Sequence, residues 1–276
     1  MNPAKFTSTA TKRRTRKYRI GLTCDFYRFV PAEHEVVNFQ NRNLAWLNEL
    51  LCDGLTNAID AKISIISAPQ NIQLFKKMLS NAKVYAEYLQ DPEIAWAQQY
   101  EHAEHKLFPS LLDRLCQQDL VIGFEIPPTL RRYLHTNKQR YINLYIHPVR
   151  FLRDLCFGAT TNCPAVASLL QANQCDQIEI TRQVRRFSAL FSRLLLPACS
   201  LPAGVPVLIG QTERDSVLIS KGVFMNWENY RDVLLDLQLR NVTIVHCASL
   251  SLVRLRSSAY CCWRISQCEK TCTICF

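Results

Sequence analysis

The sequence predicts an α/β fold, a mostly parallel sheet with helices packed on it. Short β-branched or apolar runs alternate with segments of ten or more residues whose apolar positions recur at helical spacing. Several of the short runs also stop abruptly at a polar or charged turn, as buried parallel strands do at the rim of a sheet. The clearest case is 205–219, where the uncharged run 205–209 reaches Gly210 and gives way to Glu213, Arg214 and Asp215. Ligands of open α/β sheets bind at such a rim, which makes Asp215 a candidate site carboxylate.

In chain order, residues 18–23 read as a first strand that ends in Cys24-Asp25-Phe26-Tyr27. Leu44, Leu47, Leu51, Leu55 and Ile59 place an amphipathic helix over 43–59. Ile63, Ile65 and Ile66, closed by Pro69, make 62–68 a second strand. Residues 72–89 read as one helix, with Asp91-Pro92 at its end, and 94–118 as another, interrupted near Pro109. A strand over 120–124 and a short helix over 127–135 follow. A strand over 141–146 then stops at His147-Pro148, and 149–157 and 178–196 are helical. The Pro- and Gly-containing stretch 197–206 resembles an interdomain linker. Beyond it a single strand-helix-strand unit is predicted, with its helix over 227–239 and its second strand over 242–246. The expected organisation is a basic tail (1–19), an α/β domain (20–196), a linker (197–204), part of a second α/β domain (205–246) and a tail (247–276).

At 276 residues, 48% apolar and 20% charged, the chain is globular and has room for one large domain or two smaller ones. The formal charge of +10 is uneven, because six of the eight residues 12–19 are basic: Lys12, Arg13, Arg14, Arg16, Lys17 and Arg19. Such a run is a solvated tail or a contact for an anionic surface. No aromatic interleaving, zinc-finger spacing or RNA-binding signature points to nucleic acid, so the expected partner is an anionic membrane face. No secretory signal is visible, since Arg19, Asp25 and Arg28 interrupt the stretch where an apolar core would stand. The longest uncharged stretch, 194–212, is broken by Pro197, Pro202, Gly204, Pro206 and Gly210 and cannot be a spanning helix. The expected location is cytoplasmic, peripheral on the inner face of the plasma membrane.

Seven of the thirteen cysteines are scattered singly through apolar surroundings, as small core residues of a reduced protein would be. The other six crowd into 247–276, a stretch with one acidic residue, no glycine, no proline and no sustained periodicity. Cys268-x-x-x-Cys272-x-x-Cys275 has the spacing that holds an iron–sulfur cluster in radical enzymes using S-adenosylmethionine, but in those enzymes a barrel follows the motif and here only Phe276 does. A zinc knuckle drawing on Cys261, Cys262, Cys268, Cys272 and Cys275 is the alternative metal reading. The favoured expectation is an arbitrary appended peptide that packs poorly, as a shifted reading frame would produce.

Three clusters could carry chemistry. Glu101-His102-x-Glu104-His105 puts two histidines on one helix face, as a metal pair or as an ordinary solvated face. Glu125 directly follows a predicted buried strand, with Pro127 and Pro128 fixing the chain beyond it, where it could serve a ligand or cap a helix. His147, Arg150, Arg153 and Asp154 follow another strand; His147 can move protons near neutral pH, and the arginines can hold an anion. A salt-bridged helix start, Asp154 with Arg150, is the plainer reading.

Phe124-Glu125-Ile126-Pro127, His147-Pro148-Val149-Arg150-Phe151 with Asp154, and Gly210-Gln211-Thr212-x-x-Asp215-x-x-Leu218-Ile219 together resemble the retaining β-Kdo glycosyltransferases of bacterial capsule and lipopolysaccharide biosynthesis. The resemblance runs over roughly residues 20–246. It implies a GT-B arrangement of two Rossmann-like domains with a cleft between them, a CMP-Kdo donor, a lipid-linked glycan acceptor, and neither a metal nor a further cofactor. It implies that Asp215 is the nucleophile, that Glu125 binds or deprotonates the acceptor, and that Gln211, Thr212, His147 and Arg150 line the substrate cleft. The chain departs from the family after His246: Cys247-Ala248-Ser249-Leu250 stands where a Lys-Pro-His-Pro type element would contact the donor. Much of the donor-binding half is therefore expected to be missing and activity impaired. Two alternatives stay open: a GT-B enzyme for another nucleotide sugar, and a non-catalytic α/β protein that docks on a membrane or a polysaccharide assembly complex.

Overall fold

The computed structural model describes residues 17–102, 107–146, 156–192, 207–209, 214–239, 245–247 and 263–264. Its centre is strand β1 (Tyr18–Cys24), exposed at its first residues and buried from Ile20 onward. Ile20, Leu22 and Cys24 alternate onto one face of the sheet, where helix α1 (Asn41–Ile59) covers them with Leu44 and Leu47. Each fully buried leucine of that stripe contributes roughly 1.5–3 kcal/mol. After β2 (Phe29–Pro31) and β3 (Val36–Asn38), a small antiparallel pair, and α1, the chain enters β4 (Ala61–Ile65), parallel to β1.

The opposite face is covered by helices α2 (Ile72–Met78), α3 (Ala82–Gln90), α4 (Pro92–His102) and α5 (Pro109–Cys116). The single helix predicted over 72–89 is two helices. Leu79 leaves the first in an extended conformation, and Asn81 starts the second by accepting the Lys83 and Val84 amides. Asparagine at this position offers the backbone an alternative to continuing the helix. This side of the core is aromatic: Phe29 stacks on Tyr88 at 3.8 Å and meets Phe75 and Phe108 edge-on.

Strands β5 (Leu120–Phe124) and β6 (Tyr141–Ile146) extend the parallel sheet, joined by helix α6 (Pro128–Thr136). A fifth strand, β7 (Phe157–Thr161), closes the order β4-β1-β5-β6-β7 and runs antiparallel to β6. The predicted helical stretch 149–157 therefore yields at Phe157 to a strand, in which Gly158 leaves space for the Tyr145 ring across the pair. Helices α7 (Pro164–Ala172) and α8 (Gln177–Ser192) follow. The architecture is a Rossmann-like α/β unit with a mostly parallel five-stranded sheet. Among the described residues no helix is long and apolar enough to cross a membrane.

Further on, β8 (Val207–Ile209), the hairpin β9 (Ile219–Ser220) with β10 (Val223–Phe224), helix α9 (Arg231–Leu239), β11 (Val245–Cys247) and β12 (Trp263–Arg264) are present. Strands β8 and β11 pair in parallel, as a strand-helix-strand unit requires, and β12 joins β11 antiparallel. Three residues of the predicted tail, Cys247, Trp263 and Arg264, thus belong to a sheet. The predicted linker 197–204 and most of 247–276 lie outside the described residues. The basic run is not tail throughout: Lys17 pairs with Asp60 at 2.9 Å, and Arg19, inside β1, meets Asp119 at 3.7 Å. Nor are the scattered cysteines uniformly core residues, for Cys24 is buried but Cys175 is exposed.

Candidate functional site

The chain passes from β1 to β4 on one side and then crosses to β5 on the other, so the direction of winding reverses between β1 and β5. The crevice beyond the carboxyl ends of these two strands is where open α/β sheets bind ligands. Cys24 and Phe124 are register partners, so Asp25 and Glu125 leave the sheet side by side at that point.

Glu125 is exposed and sits at φ 50, in the left-handed region. Its amide donates to Leu144 O at 2.8 Å, and the next amide, Ile126 N–H, donates to the buried Asn143 Oδ1 at 2.7 Å. Gly123 leaves room for the Ile126 side chain to fold back along β5. The strained conformation is thus fastened on both sides, a pattern found where a side chain must be aimed.

Asp25 is the buried counterpart. Its Oδ1 accepts the Tyr27 amide at 2.9 Å and its Oδ2 the Trp96 indole N–H at 2.8 Å. Burial pushes its carboxyl up from 3.8 to about 6, against the pull of the Trp96 and Tyr27 hydrogen bonds and the Arg28 charge. Burial, with the charge of Asp25 behind it, also drives the Cys24 thiol far up, leaving it an inert core group. The Arg28 guanidinium lies 4.0 Å from the centre of the Trp96 ring, a cation–π contact that carries positive charge to the rim.

Asp215 lies just before a short 3₁₀ turn (Ser216–Leu218), and its Oδ1 accepts the Val217 amide at 3.2 Å. The turn leads into the β9–β10 hairpin, whose Lys221 and Gly222 both have positive φ, as the two central residues of a type I′ turn do. Ile219 is buried in the same core as Trp96 and Phe108, and Phe224 packs on Trp96 with ring centroids 5.8 Å apart. Tyr100, one helical turn beyond Trp96, connects the parts. Burial raises its phenol, the neighbouring Ser216 hydroxyl hydrogen-bonds it and opposes that rise, and Asp25, Arg131 and Glu125 all act on it through their charges. The Asp215 turn thus leads into a hairpin held on the helix that also bears Trp96, the hydrogen-bond partner of Asp25.

Of the residues singled out from sequence, the structure describes Glu125 directly after β5 and Asp215 at the start of the turn whose hairpin docks on α4. Gln211, Thr212, His147 and Arg150 lie outside the described residues, as do Arg153, Asp154, Glu104 and His105. Glu101 and His102 are described: Glu101 Oε2 accepts the Gly222 amide at 2.8 Å, and His102 Nε2 stands 3.8 Å from the same oxygen. Among the described residues no three His, Cys, Asp or Glu side chains group as a metal site. Sequence reasoning missed Asp25, Arg28, Trp96 and Tyr100. The carboxylate-after-strand rule that selected Glu125 applies equally to Asp25. No protein-family model matches the chain, and no curated protein matches it.

Proposed function

We propose that the chain is a glycosyltransferase of bacterial surface polysaccharide biosynthesis that transfers Kdo from CMP-Kdo with retention of anomeric configuration. The observation that supports this reading is the docking of the segment after Asp215 on α4, where Phe224 packs on Trp96 and the Trp96 indole donates to Asp25, the residue that leaves the sheet beside Glu125. In the reaction, an Asp215 carboxylate oxygen attacks the anomeric carbon as the bond to the phosphate oxygen of CMP breaks. CMP leaves with the electron pair, and a glycosyl ester of Asp215 remains. The acceptor hydroxyl then attacks the same carbon from the opposite side, gives its proton to Glu125, and releases Asp215 as carboxylate. Two inversions give net retention, the logic of retaining glycosidases.

On this reading Gln211, Thr212, His147 and Arg150 line the cleft of a GT-B enzyme, and the acceptor is a lipid-linked glycan at the inner face of the plasma membrane. Lys12, Arg13, Arg14 and Arg16 are the basic residues left for an anionic bilayer, since Lys17 and Arg19 are paired at the amino-terminal end of the strands, opposite the end where Glu125 stands. The test is transfer from CMP-Kdo to a glycan acceptor, with the product's anomeric configuration read by NMR. Retained configuration, with transfer lost in Glu125→Gln, supports the reading; an inverted product overturns it.

A further inference from the structure

One stripe of α4 forms a seat for the segment that carries Asp215. Glu93 Oε1 stands 3.9 Å from Arg214 Nη1, Trp96 packs on Phe224, Tyr100 meets Ser216, and Glu101 Oε2 accepts the Gly222 amide at 2.8 Å. These four positions lie at helical spacing on one side of α4. From the β1 side, Arg28 Nη2 donates to Arg214 O at 3.2 Å while its guanidinium stays stacked on Trp96. The fit leaves little slack: a Cβ on Gly222, at φ +78, would stand 3.2 Å from His102 Cδ2 and 3.4 Å from Gln98 Cα.

We propose that Glu101 and Arg28 are positioning residues that hold Asp215 in reach of the anomeric carbon by clamping both ends of the 214–222 segment to the seat on α4. The inference rests on the glycosyl-transfer reading. It gives the Glu101-His102 pair the task of anchoring a hairpin. Nothing in the proposal requires Glu101 or Arg28 to touch the reacting atoms, so their effect is on the placement of Asp215.

The test uses the full chain as wild type, Glu101→Ala, Glu101→Gln and Gly222→Ala. Two readouts are taken: amide hydrogen exchange over 215–224, and the rate of sugar attachment to the protein against CMP-Kdo concentration. Glu101→Ala should speed exchange there about tenfold while the rest of the sheet keeps its protection. Glu101→Gln retains an acceptor oxygen and should restore protection; Gly222→Ala, which pushes the turn off α4, should behave like Glu101→Ala. In the same variants the limiting attachment rate should fall about tenfold to a hundredfold with KM unchanged, and Glu101→Gln should recover it. Exchange as fast in the wild type as in Glu101→Ala, no rescue by glutamine, or an effect confined to KM would each overturn the proposal. Protected wild-type amides with no sugar attachment would instead overturn the reaction assignment, and with it the positioning role, while the clamp itself stood.

Discussion

The sharpest physical prediction concerns Asp25, whose carboxyl is fully enclosed yet accepts two hydrogen bonds on separate oxygens. Its rise from 3.8 to about 6 means that the folded chain binds this proton more tightly than the unfolded chain does. The sign follows. Below pH 3.8 the group is protonated in both states and exerts no penalty; between there and about 6 the penalty grows; above about 6 it is complete. Its full size is roughly 3 kcal/mol, a substantial part of a typical domain's stability. Asp25→Asn removes the titration but also an acceptor, setting its amide N–H₂ against either the Tyr27 N–H or the indole N–H. At pH 4 the wild type should therefore be the more stable of the two, and by pH 7 its advantage should shrink by roughly 2 to 2.5 kcal/mol. Denaturant unfolding of both proteins between pH 4 and 7.5 measures this, and the difference between them cancels the other carboxylates. A pH-independent difference, or one that grows in favour of the wild type as pH rises, would refute the reasoning. The latter would mean that the hydrogen bonds and Arg28 outweigh burial.

Other consequences are simpler. Phe29→Ala deletes the ring stacked on Tyr88 at 3.8 Å and should cost about 3–5 kcal/mol in the same assay. Glu125→Gly relieves the positive φ at that residue and should raise stability by about 1 kcal/mol while abolishing transfer, an opposition that thermal melts and activity assays would display. Asn143→Ala leaves the buried Ile126 amide without its acceptor and should cost about 1–3 kcal/mol, with faster exchange at Ile126 as the local readout.

The sheet was legible wherever burial on a face imposed a pattern on neighbouring residues. Ile20, Leu22 and Cys24 alternate because α1 covers one side of β1, and Leu44 with Leu47 mark the matching helix. The helix break before Asn81 is also written locally, in an asparagine that caps the second helix, although apolar residues at helical spacing run across it. Strand β7 escaped because Phe-Gly-Ala-Thr-Thr has little alternation to show, and its Gly158 makes sense only opposite Tyr145. Strands of two residues, as in β9 and β10, have no periodicity at all; only the Lys221-Gly222 pair hinted at the turn. The site divides along the same line. Glu125 was found from its place after a strand, but Asp25 is made unusual by Trp96, 71 residues away. Likewise, only the docking of the hairpin on α4 fixes where the Asp215 turn sits, and no local pattern encodes a contact between Gly222 and Glu101, 121 residues apart.

The central claim, that Asp215 becomes covalently glycosylated, is tested most directly by intact-protein mass spectrometry after incubation with CMP-Kdo and no acceptor, followed by fragmentation to locate the sugar. The account predicts the mass of one sugar residue on a fraction of the chain, mapped to Asp215, absent in Asp215→Asn and lost again when acceptor is added. A chain that transfers sugar to acceptor as Asp215→Asn, or that carries its sugar on another residue, would contradict it.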